Sequence, residues 1–155
     1  MSFAAIRPDD VNFPLLLHVL GAMVLVGMLF VAALALLVAW RRADGSTGLT
    51  RFGFWSILAG VLPGYVLMRI GAEWTASEEF GGSDPRLAWL DIGYITADVG
   101  ALIIILSIVL SIVGLRRTRA DAPGGSTLAR IVGVAAVLLL AAYLVAVWAM
   151  TSKPS

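Results

Sequence analysis

Four long apolar runs, separated by short polar connections, organise this chain. The first extends from Phe13 or Pro14 to Trp40, where Arg41 and Arg42 stop it, and the second from about Phe52 to Ala72. The third begins at Leu87 or Ala88 and ends at Leu115 before Arg116, Arg117 and Arg119; the fourth covers Ile131 to Met150. An α-helix needs about 20 apolar residues to cross a hydrocarbon core of about 30 Å, and each run meets that length. The pattern predicts transmembrane helices over about 14–40, 52–72, 88–115 and 131–150, an all-α transmembrane four-helix bundle in a single domain, 1–155. The first run is too long for a secretory h-region. The stretch ahead of it sets Arg7 against Asp9 and Asp10 instead of forming a basic cluster, so an uncleaved spanning helix is expected.

Short-loop charge gives the polarity. Arg41, Arg42, Arg51, Arg116, Arg117, Arg119 and Arg130 gather in two connections, against Arg7, Arg86 and Lys153 on the other side. Lys/Arg-rich short loops stay in the cytoplasm. Both termini, and a loop from about Glu73 to Arg86 carrying Glu78, Glu79 and Asp84, are therefore expected on the extracytoplasmic side. Trp40 and Trp55 then fall near the inner boundary and Trp74, Trp89 and Trp148 near the outer one, as interfacial tryptophans do.

Composition agrees with this picture and removes several function classes. Of 155 residues, 60% are hydrophobic and 14% charged, and mean hydropathy is +0.95, against roughly half and a quarter in soluble domains. A net charge of +1 argues against nucleic acid as a partner. The absence of cysteine excludes disulfides, thiolate metal sites and cysteine nucleophiles. No phosphate-binding glycine loop, metalloprotease helix or Ser/His/carboxylate set can be assigned, so no catalytic residues and no metal site are expected. One local similarity links the two basic connections: Arg42-Ala43-Asp44, Gly45-Ser46-Thr47 and Arg51 recur as Arg119-Ala120-Asp121, Gly125-Ser126-Thr127 and Arg130. Duplication of a helical hairpin would produce it, although the polar residues of the first helix pair have no counterparts in the second.

The informative residues are ionisable groups within or near the apolar runs, where a charge costs several kcal/mol unless paired or hydrated. At 1.5 Å per residue, Arg69 lies roughly 27 Å above Arg51, and Asp98 roughly 27 Å above Arg116. His18, Glu73 and Asp91 count out to roughly 33–37 Å above their own boundaries. The whole set occupies the outer edge of the membrane. Arg69 and Glu73 share one helix face and Asp91 and Asp98 another. The simplest network pairs Arg69 with Asp98 and arranges Glu73, Asp91 and His18 around them, as a register-fixing clasp or as a proton-linked or ligand-contacting site.

His18 is the sole histidine. Gly21 lies on its helix face and removes bulk beside the imidazole, which permits either close helix packing or a flat cofactor such as haem. A haem would need methionine, water or a second subunit as its other ligand. Met23 and Met28 do not share the His18 face, which argues against a copper relay. In the second run Gly60-Val61-Leu62-Pro63-Gly64 combines small residues four apart with a proline, a site for close packing and for a bend. Tyr65 and Tyr143 count out to similar depths, about 20 Å above the inner arginines, and each hydroxyl is a candidate partner for the other.

Leu17-His18-Val19-Leu20-Gly21-Ala22-Met23, followed by Val26-Gly27, resembles the first helix of small bacterial inner-membrane proteins of unknown function related loosely to the copper-resistance D type. The likeness extends to Pro63-Gly64-Tyr65 and to Arg69-Ile70-Gly71-Ala72-Glu73-Trp74, about a third of the chain. It implies a multi-pass helical bundle in the bacterial inner (plasma) membrane, in contact with the lipid bilayer. The copper link of that type finds no Cys, second His or methionine pair here. Two functional readings follow. One is an accessory or assembly protein with a membrane-protein partner or a homo-oligomeric state; the other is a transporter or haem/metal-binding subunit using His18, Arg69, Glu73, Asp91 and Asp98.

Overall fold

The computed structural model describes residues 9–42, 47–81, 88–120 and 125–152. Residues 43–46 and 121–124 of the two basic connections lie outside the described residues, as do Arg7, Asp84, Arg86 and Lys153. Five α-helices follow in order: α1 (Asp9–Arg41), α2 (Thr47–Ser56), α3 (Leu62–Phe80), α4 (Ala88–Arg119) and α5 (Gly125–Ser152). A single π turn, Ile57–Val61, joins α2 to α3, so the two form one interrupted rod. Four spans result, Asn12–Arg41, Thr47–Phe80, Trp89–Arg119 and Gly125–Ser152, each long and apolar enough to cross a bilayer. The protein is a multi-pass membrane protein built as a four-helix bundle, with no strand among the described residues.

The bend expected around Pro63 takes the form of that π turn. Proline has no N–H and its ring crowds the carbonyl four residues back, Ala59. The backbone widens one turn ahead, where the Leu62 N–H bonds the Ile57 carbonyl five residues away. This leaves Pro63 in the first turn of α3, where a missing donor is tolerated.

Helix ends lie beyond the apolar runs, and one expected loop is corrected. The segment from Glu73 onward is not a loop; α3 continues through it to Phe80. Local polar bonds carry the extension: the Thr75 hydroxyl donates to the Gly71 carbonyl at 2.7 Å and the Trp74 indole N–H to Glu78 Oε1 at 3.2 Å. Gly81, at φ 55°, takes the left-handed conformation that ends the helix, and its N–H bonds the Ser77 carbonyl. Hydropathy marks where lipid stops, whereas hydrogen bonding decides where the helix stops.

Around the bundle, α1 packs most extensively on α3, and α5 bridges α1 and α4. α4 meets α2 and the π turn at the arginine-rich end, but touches α3 only sparingly. Buried positions on α4 are spaced three and four apart and are small: Ala97, Gly100, Ser107, Ser111 and Gly114, with Ile104 among them. α5 matches this rhythm with Ala129, Val132, Ala136, Leu139, Tyr143 and Ala146. Between helices in lipid there is little hydrophobic drive, so close van der Waals packing of small residues supplies the association. Leu16, Met23, Phe30, Ile95, Leu102 and Leu138 point outward to the acyl chains. At the arginine-rich end, the Arg130 guanidinium stacks 5.1 Å over the Trp40 ring and ties α5 to α1.

Candidate functional site

The closest helix contact in the molecule positions the site. Gly21 on α1 and Gly64 and Gly71 on α3 lie where the two backbones nearly touch. A Cβ at Gly21 would sit 2.7 Å from the Met68 Cα, one at Gly64 2.7 Å from the Leu25 nitrogen, and one at Gly71 2.6 Å from the His18 Cα. With the backbones this close, the His18 ring reaches across and Nδ1 donates to the Met68 carbonyl at 3.0 Å. A carbonyl only accepts, so Nδ1 carries the proton of this bond.

α3 then presents Tyr65, Arg69 and Glu73, successive at four-residue spacing, toward the seam with α4. Arg69 Nη2 pairs with Glu73 Oε1 at 3.0 Å and with Asp98 Oδ1 at 3.1 Å. The guanidinium lies 5.2 Å from the centre of the Tyr94 ring, which is one turn from Asp98 on α4. One turn deeper, the Tyr65 hydroxyl donates to the Ala97 carbonyl at 3.3 Å. These two links, Arg69 to Asp98 and Tyr65 to Ala97, fasten α3 to α4 where side-chain packing between them is thin. The Asp98 and Glu73 side chains are 65% and 54% exposed, so the cluster carries two accessible carboxylates around one largely covered guanidinium.

Of the expected site residues, the structure brings Arg69, Glu73 and Asp98 into direct contact and leaves the others apart. Asp91 is exposed on α4, seven residues or roughly 10 Å along the axis from Asp98, and forms no ion pair with a described residue. His18 contacts the α3 backbone and not the carboxylates. Tyr94 was not anticipated, although its place four residues before Asp98 puts it on that face of α4. The expected Tyr65–Tyr143 hydrogen bond is replaced by Tyr65 to Ala97. The buried Tyr143 hydroxyl lies against Gly100, where a Cβ would stand 2.5 Å from it, and has no hydrogen-bond partner among the described residues. Arg69 Nη1 is likewise buried without a partner.

The Gly21 side of His18 has no room for a haem plane. Gly21, the residue that could clear a plane beside the imidazole, has that space filled by the α3 backbone at Leu67 and Met68. Among the described residues no three His, Asp or Glu side chains gather as a metal site. Gly21 serves helix packing. No protein-family model matches the chain, and no curated protein or solved structure matches it either.

Proposed function

We propose that the chain is an accessory or assembly component of the bacterial inner membrane, which engages another membrane protein through the Arg69–Glu73–Asp98 cluster. One observation carries this reading: Arg69 bridges Glu73 and Asp98 across the thinly packed α3–α4 seam, and leaves both carboxylates more than half exposed, at a level that helical rise puts near the edge of the hydrocarbon. The cluster holds one positive and two negative formal charges, and an uncompensated carboxylate at this depth is costly beside lipid. A donor or basic side chain on a neighbouring helix would neutralise it. The resemblance to small bacterial inner-membrane proteins bears on fold and location alone.

Because the chain has no cysteine, labels can be placed singly. A photo-crosslinker at Ile95, exposed and one turn from Asp98, should give one discrete heteromeric adduct in native membranes. Asp98→Asn should abolish it. Adducts to lipid alone, or an adduct unchanged by Asp98→Asn, would rule out docking through the cluster.

A second reading, transport past the cluster, is favoured by two buried orphan groups, Arg69 Nη1 in the cluster itself and the Tyr143 hydroxyl on α5 beside Gly100, which suit a hydrated path. Proteoliposomes loaded with a pH dye test it. Proton flux above that of empty vesicles, lost in both Asp98→Asn and Arg69→Ala, supports the path; flux equal to empty vesicles removes it.

A further inference from the structure

At the opposite end of the bundle, α1 and α2 diverge and leave an apolar furrow of about 280 Å³. Its walls are Val31, Leu34, Ala35 and Val38 on α1 with Leu49 and Phe52 on α2, and Arg42 closes one end. The α1 residues follow at three- and four-residue steps, so they form one continuous stripe down the helix.

We propose that this furrow binds one acyl chain of an anionic phospholipid, with the lipid phosphate on Arg42. Three observations converge on that occupant. From Val31 to Arg42 the stripe runs eleven residues, roughly 16 Å, which is about half of a hydrocarbon core of about 30 Å. An acyl chain of one leaflet therefore spans the furrow while its phosphate stands at the guanidinium. The walls offer no polar side chain until Arg42, so they match a hydrocarbon tail, and the half-exposed Phe52 and Leu34 leave the furrow open sideways to lipid. Charge complements the headgroup. Arg42 is exposed, and neither its side chain nor those of neighbouring Arg41 and Arg51 pair with an acid among the described residues. A basic pocket between spans at the arginine-rich boundary is the setting in which anionic headgroups are held. This site lies at the other membrane face from the Arg69 cluster and does not depend on the docking reading.

Native mass spectrometry of the full chain in detergent micelles, titrated with dioleoyl phosphatidylglycerol or dioleoyl phosphatidylcholine, tests the proposal. The expected result is one phosphatidylglycerol bound in preference to phosphatidylcholine. Arg42→Gln should reduce phosphatidylglycerol affinity about fivefold, the factor equivalent to about 1 kcal/mol for one basic residue at a headgroup. Val38→Phe, which narrows the furrow without touching charge, should weaken both lipids alike. Equal binding of the two lipids, or preference retained in Arg42→Gln, would overturn the headgroup assignment. Displacement of the lipid by inorganic phosphate would show an ion site without an acyl component, and would overturn it too. Arg42→Gln alters an exposed residue, and an unchanged circular dichroism spectrum confirms that its loss is not unfolding.

Discussion

Replacing Gly71 by alanine tests whether direct backbone contact between α1 and α3 holds the bundle together. The new Cβ would lie 2.6 Å from the His18 Cα, and the atoms in its way belong to a helical backbone that cannot swing aside. Overpacking of this kind costs about 1–3 kcal/mol, and rigid obstructing atoms favour the upper half of that range. Separation of the helices also lengthens the His18–Met68 bond, which adds about 0.6 kcal/mol in a membrane interior. Alanine returns up to about 1 kcal/mol of helix propensity, so the net loss is about 2 kcal/mol. Gly27→Ala is the internal control. Nothing lies within 4 Å of a Cβ there, so only the propensity gain remains. Reversible unfolding in mixed detergent and dodecyl sulfate micelles, followed by circular dichroism, should separate the two alanine variants by about 3 kcal/mol. Gly21→Ala should behave like Gly71→Ala, and the double variant should lose less than the sum, because one separation relieves both clashes. Equal stability of the Gly71 and Gly27 variants would refute the argument that backbone proximity holds this pair.

Further outcomes follow from individual contacts. Tyr143→Phe removes a buried hydroxyl without a described partner and should be neutral or stabilising by about 1 kcal/mol, whereas Tyr65→Phe loses the Ala97 bond and should cost about 0.6 kcal/mol. The same unfolding assay checks both, and the opposite order would show that Tyr143 holds the stronger bond. A double-mutant cycle on Arg69→Ala and Asp98→Asn should give a coupling energy below about 1 kcal/mol, because the Asp98 side is open to its surroundings. His18→Ala should destabilise by about 1 kcal/mol or less through loss of the Met68 bond, and should leave the absorption spectrum of the purified protein unchanged in the Soret region. A Soret band that disappears in this variant would overturn the packing role assigned to His18.

The comparison of sequence with structure turns on which residues act locally and which act through neighbours. The existence of the four runs and their arginine-rich ends were legible directly, since the cost of a polar group in hydrocarbon acts residue by residue. Arg69 and Asp98 could be placed at one level by counting helical rise, which is a property of the backbone alone. Rotation about the helix axis is different. Asp91 has the same seven-residue relation to Asp98 that suggested a shared cluster, yet the Arg69 side chain extends to Asp98 and Glu73 and leaves Asp91 outside.

What the chain determined by itself is therefore its class: four apolar spans, the asymmetry of positive charge at their ends, and the shared level of Arg69 and Asp98. Only tertiary structure decided what the small residues were for. Gly21 permitted either a cofactor or a helix beside it, and the choice rested with Leu67 and Met68, residues some fifty positions away, whose backbone fills the space. The break ahead of Pro63 became a π turn, α3 came to lie directly on α1, and its seam with α4 was left to an arginine, two tyrosines and two carboxylates. Partition into lipid is nearly additive along a sequence, whereas the partner of a helix face depends on every other face that could occupy the same place.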